Sequence, residues 1–175
     1  MNNFYLRELA EEDVQEINNW RNDRKIIENL GAPFRYVSKK VDDDWLHSYF
    51  QKRSNCVRLA ICKADDSRII GSVYLLNIDW VSRSCEFAIW IGDQDSQGCG
   101  AGKYATEKAL VHAFSDLNLN RVYLTVLNYN ERARGLYKKV GFREEGVQRK
   151  AVYKEGNYRD LVMMAILRDE FCPRQ

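Results

Sequence analysis

Apolar and polar residues alternate along "FYLREL", residues 4–9, as they do on a strand with one face turned inward. Glu11, Glu12 and Asp13 follow, acids that suit a first helical turn, and Val14, Ile17, Trp20 and Arg21 then recur on one helical face. Gly31 and Pro33 end that region. Residues 41–53, "VDDDWLHSYFQKR", predict a second helix with acids at its start and bases at its end. Three strand-like runs come next, at 56–64, 68–79 and 84–92. The turns between them are short enough for hairpins, so the three form an antiparallel meander. In the last of these runs, a period of two sets Glu86, Ala88 and Trp90 on one face and Phe87, Ile89 and Ile91 on the other.

After a glycine-rich loop a helix is expected through Tyr104, Ala105, Lys108, Ala109, Val111 and His112 to about Leu117, then a strand at 120–128 and a helix at 131–140 stopped by Gly141. Two further strands, 142–153 and 158–167, meet at the turn Glu155–Gly156–Asn157. No repeat, linker or low-complexity tract interrupts the pattern, and the expectation is one mixed α/β (α+β) domain over residues 1–175.

Composition narrows the function. With 45% apolar and 30% charged residues the chain reads as soluble and globular, and a net charge of +2 does not suit a dedicated nucleic-acid binder. The first residues lack the basic and apolar regions of a signal peptide, and no apolar run approaches the roughly 20 residues needed to span a bilayer. The five cysteines, 56, 62, 85, 99 and 172, contain no CxxC, and there are only two histidines. Reduced thiols in a cytoplasm, with no metal site, are expected.

The densest chemical signal is "QGCGAGKYATEKAL", residues 97–110, which places three glycines immediately before a helix. Residues without side chains let backbone amides approach an anion closely, and a helix N-terminus attracts one. A Walker A loop fails here, because Gln97 and Tyr104 occupy two of its required positions. "GAGKYA" matches a dinucleotide fingerprint literally, yet antiparallel strands precede it and the next strand ends at Asn128 rather than at an acid. The pattern [QR]xxGx[GA] between a strand and a helix is matched in full by Gln97–Gly98–Cys99–Gly100–Ala101–Gly102.

That hexapeptide resembles the acetyl-CoA loop of the GNAT superfamily of N-acetyltransferases. A second block about thirty residues on, "NYNERARGLYKKVGFREEG", resembles the signature NxxAxxLYxKxGFxxEG at Asn130, Ala133, Leu136, Tyr137, Lys139, Gly141, Phe142, Glu145 and Gly146. The likeness extends from the first strand to about Leu167 and is greatest to the RimJ/RimL-like branch and the bacterial spermidine and amino-sugar acetyltransferases. It implies a mixed sheet of about seven strands with flanking helices, acetyl-CoA as cosubstrate, and direct attack of a primary amine on the thioester in a ternary complex.

The resemblance also implies positions. The amides of Gly98, Cys99, Gly100, Ala101 and Gly102, with Gln97 and Lys103 beside them, would hold the pyrophosphate. The pantetheine arm would lie between the strands at 84–92 and 120–128, near Ile89, Trp90, Ile91 and Asn128. Asn130 would cap its helix, bond the pantetheine, or do both. Tyr137 would protonate the leaving thiolate, although a core tyrosine is the alternative. Glu86 would act as base, act through a water, or anchor the ammonium; otherwise it pairs with a neighbouring cation such as Arg83. A nucleophilic Cys99 is disfavoured, since its loop should face the pyrophosphate and not the thioester.

For the acceptor the expected surface spans Trp20 to Tyr36, Tyr74 to Asn77 and Tyr153 to Tyr158, with Trp20, Arg21, Glu28 and Tyr74 as contacts. The alternative is a plain helix end, with Trp20 in the core and Asn22 or Asp23 as terminal polar residues. Arg21 would grip a phosphate of a nucleotide-linked amino sugar, whereas Glu28, Asp42–Asp44 and Glu86 would suit a polyamine. A protein N-terminus is a third acceptor. A degenerate domain that only senses acetyl-CoA is the non-enzymatic alternative. Relatives often pair, so a homodimer is also expected.

Overall fold

The structure is a computed structural model, and it describes residues 3–172. Seven strands form one sheet in the order β1-β2-β3-β4-β5-β7-β6. β1 (Phe4–Glu8), β2 (Val57–Lys63), β3 (Ile69–Asp79) and β4 (Ser84–Ile91) pair antiparallel in sequence order, as the short turns require. β5 (Arg121–Leu127) joins β4 in parallel, and the hairpin of β6 (Arg143–Lys154) and β7 (Asn157–Leu167) completes the sheet through β7.

Strand periodicity divides the core between the two faces. Along β2, Ala60 and Cys62 pack against Val14, Ile17, Trp20, Leu46 and Tyr49 on one side. Ile61 between them belongs to the larger cluster on the other side, with Val73, Phe87, Leu110 and Leu124. The first face is covered by α1 (Val14–Arg21) and α3 (Lys39–Gln51); the second is covered by α4 (Ala101–Val111) and α5 (Glu131–Val140).

Strand bounds differ from those expected by a residue or two. Among the helices, a four-residue turn, α2 (Arg24–Ile27), has no counterpart in the periodicity; Asp23 starts it by accepting from the Lys25 amide. α3 begins two residues earlier than expected, at Lys39, after an extended Ser38. The helix after the glycine loop runs to Val111 and then widens into a π-helical turn, His112–Asp116. α5 has the ends its sequence calls for, with the Asn130 side chain accepting from the Ala133 amide and Gly141 left-handed at φ 119°.

Candidate active site

β4 and β5 are paired only at their start. Their register covers Ser84–Arg121, Cys85–Val122 and Glu86–Tyr123 and then stops, while β4 stays paired to β3 as far as Ile91 and β5 to β7 as far as Leu127. From Phe87 and Leu124 onward two strand edges therefore face each other unpaired. Phe87 is the first residue of β4 beyond the pairing, and its ring meets Tyr137 and Phe142 at 6.1 and 6.0 Å between centroids. A cavity of about 520 Å³ opens at the split, lined on its two sides by Phe87–Trp90 and Thr125–Leu127.

The glycine loop lies just past the end of β4. Gly98 and Gly100 have φ of 88° and 92°, a region that costs an L-residue roughly 1–2 kcal/mol. Gly102 needs neither that φ nor close packing, since a Cβ there would meet no atom within 4 Å. The amides from Gly98 to Lys103 have no protein acceptor among the described residues. Six free donors at the positive end of α4 suit a diphosphate, so this chain's own residues fit the acetyl-CoA that the resemblance implies. Gln97 spans the loop: its amide nitrogen reaches Ile91 O at 3.4 Å and its oxygen accepts from Arg132 at 3.5 Å. Lys103 pairs with Glu107 at 3.7 Å, and Cys99 is exposed in the loop, away from the cavity lining.

Tyr137 lines the cavity from α5 while remaining 7% exposed. Burial alone pushes its phenol up to about 12, so it stays protonated at neutral pH. Glu86 lines the same cavity from β4. A bulge in β3 after Leu76 leaves Asn77 left-handed at φ 51°, and its side-chain amide donates to Glu86 Oε2 at 2.9 Å. One carboxylate oxygen is thereby held, and the expected Arg83 partner is instead bonded to Asn118.

The remaining expected residues divide. Ile89, Trp90, Arg21, Tyr74 and Asn130 line the cavity. Asn130 both caps α5 and donates to Asn29 O at 3.0 Å, so its side chain is already occupied at both ends. Ile91 and Asn128 do not line it; Asn128 O accepts from Arg134 at 2.9 Å. Trp20 takes the core position that was its alternative, outside the lining. It is 7% exposed, stands edge-on to Trp90 at 5.7 Å, and presses so closely on the end of β4 that a Cβ at Gly92 would lie 1.9 Å from its ring.

Glu28 is exposed and outside the lining. Asp42 is fully buried, bonded to Arg21 and to Asn18, while Asp43 and Asp44 pair with Lys39 and Lys40 one turn away. Arg21 and Glu86 are thus the two charged groups of the lining among the described residues. Asn29–Ala32, within the Trp20–Tyr36 stretch expected on the acceptor side, also line it. Trp45 lines it too and was missed, although it had a signal, as an aromatic on a helix beginning with acids. Tyr153 and Tyr158 meet edge to face at 5.1 Å outside the lining.

The five cysteines are unpaired, and burial pushes the Cys85 thiol up to about 12. No cluster of metal-ligating groups occurs among the described residues, and none of their helices is long and apolar enough to cross a membrane.

A split parallel strand pair, a donor-rich glycine loop at a helix start and an acid–phenol cavity define a CoA-thioester-dependent acyltransferase. Residues 3–143 match the acetyltransferase (GNAT) domain family. The chain belongs to that family and is an acetyl-CoA-dependent N-acetyltransferase. It is 31% identical over 171 residues to a spermidine N(1)-acetyltransferase of Vibrio cholerae, covering 97% of this chain and 95% of that protein. It is 35% identical over 166 residues to a Bacillus subtilis protein provisionally named as the ribosomal N-acetyltransferase YdaF, covering 95% and 86%. The crystal structure of the Vibrio cholerae spermidine N-acetyltransferase with CoA and spermine superposes with a TM-score of 0.87 at 30% identity, over 96% of this chain and 97% of that one.

Proposed function

We propose that the protein acetylates the primary amine of a small acceptor by direct attack in a ternary complex, with Glu86 on the amine side and Tyr137 on the thiolate side. Bound acetyl-CoA supplies an activated acetyl thioester; Gly98–Lys103 would hold its diphosphate and the free edges of β4 and β5 its amides. Glu86 draws the acceptor ammonium in and takes its proton, with Asn77 keeping the carboxylate aimed. Tyr137 donates its proton to the departing sulfur. Its high pKa is compatible with that task, because the same burial that disfavours a phenolate also disfavours a free thiolate beside it. The observation that carries this reading is a single cavity at the strand split lined by both groups.

The charge of the lining bears on the acceptor. Glu86 is its one carboxylate among the described residues, and the other acids expected to attract a polyamine are exposed outside it or paired with cations. An acceptor presenting one amine to Glu86, in a lining that also carries the Arg21 cation, therefore suits it better than a long polycation. The test is release of free thiol from acetyl-CoA with spermidine, a nucleotide-linked amino sugar and an N-terminal peptide, each alone. Turnover on one of them identifies the acceptor class; acetyl-CoA binding with no turnover on any rules out all three. A cytoplasmic setting and a homodimer go with this reading, and sedimentation of the purified protein tests the dimer.

A further inference from the structure

The segment Ile27–Ala32 leaves α2 and forms one wall of the cavity without regular structure of its own. Side chains from the C-terminal half nevertheless take five of its six carbonyls. The Lys154 ammonium donates to Ile27 O, Leu30 O and Ala32 O at 2.7, 2.5 and 2.9 Å. Tyr129 donates its hydroxyl to Glu28 O, and Asn130 its side-chain amide to Asn29 O, each at 3.0 Å. An ammonium has three protons, so Lys154 is saturated. It stands at the end of β6, is 6% exposed, and has no carboxylate within ion-pair distance among the described residues. Glu28 and Glu155 act on it only from further off, and burial draws its pKa below the usual lysine range.

Burying an ammonium among neutral carbonyls is costly, and an apolar side chain would fill the same volume more favourably. What an apolar side chain cannot do is draw three carbonyls, spread over six residues, toward one point. We infer that Lys154 is a positioning residue for the acceptor: without touching it, the ammonium sets the curvature of Ile27–Ala32 and so the spacing between that wall and Glu86. Tyr129 and Asn130 tie the same wall to the start of α5, the helix that carries Tyr137, so wall and proton donor are set in one frame. This rests on the reading of the wall as the acceptor side of the cavity.

The test uses Lys154→Met and Lys154→Ala in the full chain, assayed with whichever of the three amines the wild type turns over fastest. A wild type inactive on all three would refute the proposed acceptor classes before the variants are made, so the two failures are distinguishable. For Lys154→Met the acceptor KM is expected to rise about tenfold to a hundredfold, as for a sub-ångström to ångström misplacement, with acetyl-CoA affinity unchanged. Lys154→Ala leaves the carbonyl cradle open, and ammonium chloride is expected to lower its acceptor KM toward wild type where sodium chloride at equal ionic strength does not. A wild-type acceptor KM in Lys154→Met overturns the inference. Equal losses of acceptor and acetyl-CoA affinity, or no rescue by ammonium, overturn it as well.

Discussion

Replacing Tyr137 by Phe removes one oxygen from a ring that is otherwise packed. The ring contacts with Phe87 and Phe142 remain, so no cavity of the kind that costs about 3–5 kcal/mol in a Phe-to-Ala change is created. The hydroxyl has no hydrogen-bond partner among the described residues, so its loss changes stability by no more than about 1 kcal/mol at neutral pH. Catalysis behaves differently. A positioned proton donor contributes about 10²–10⁴ in rate, or about 3–5 kcal/mol of barrier, and kcat should fall by that factor with acetyl-CoA affinity intact. Stability against pH supplies a second readout. The phenol titrates near 10 when unfolded and at about 12 when folded, so between those values the unfolded chain has already released the proton that the folded chain keeps. Wild-type stability must therefore fall as pH rises from about 10 to about 12, by at most about 3 kcal/mol from this group. Tyr137→Phe should lack that share of the decline. Thiol release from about pH 6 to about pH 9 and thermal melts across the alkaline range measure both effects. Wild-type turnover throughout the assay range would refute the proton-donor role, whatever the melts show.

Gly102→Ala adds a methyl group where no protein atom lies within 4 Å and where a helix gains from alanine. Its melting temperature should hold or rise while acetyl-CoA affinity drops about tenfold, roughly 1.4 kcal/mol by titration calorimetry; unchanged affinity would remove Gly102 from the diphosphate site. Glu86→Gln should lower kcat/KM by about a hundredfold or more, and Asn77→Ala, which frees but does not remove the carboxylate, by about tenfold. The reverse order would transfer the main role to Asn77. Cys99 is exposed within the glycine loop, whereas Cys85 is buried with its thiol pushed up to about 12. Alkylation followed by peptide mass mapping should therefore label Cys99 and Cys172 and spare Cys85, and acetyl-CoA should protect Cys99 alone. Equal labelling of Cys99 with and without acetyl-CoA would contradict its place beside the cofactor.

Much of the candidate cleft was legible in the sequence because its parts are local. The alternation in β4 set Glu86 and Trp90 on one face, opposite Phe87. Asn130 and Gly141 bounded α5, and the positive φ of Gly98 and Gly100 is what glycines at a helix start announce. The acceptor side was read less well. Trp20 and the aspartates of α3 suited either ligand contacts or structural places, and only their partners separate the two. Trp20 is taken up by Trp90 and the backbone at Gly92, and Asp42 by Arg21 and Asn18. No periodicity distinguishes an acid at a helix start that faces solvent from one bonded beneath the neighbouring helix.

Taken alone, the sequence determined the strands and the longer helices, their order, the faces of the strands and the glycine loop before α4, since each depends on residues a few positions apart. The tertiary structure decided where β4 parts from β5, which acids remain available, and how the wall at Ile27–Ala32 is held. Those features depend on contacts across the chain, of which the bond from Lys154 to Ile27, 127 residues away, is one of the longest. A buried ammonium among carbonyls leaves no trace in a hydropathy pattern, because lysine near a hairpin turn reads as solvated until the fold brings its acceptors together.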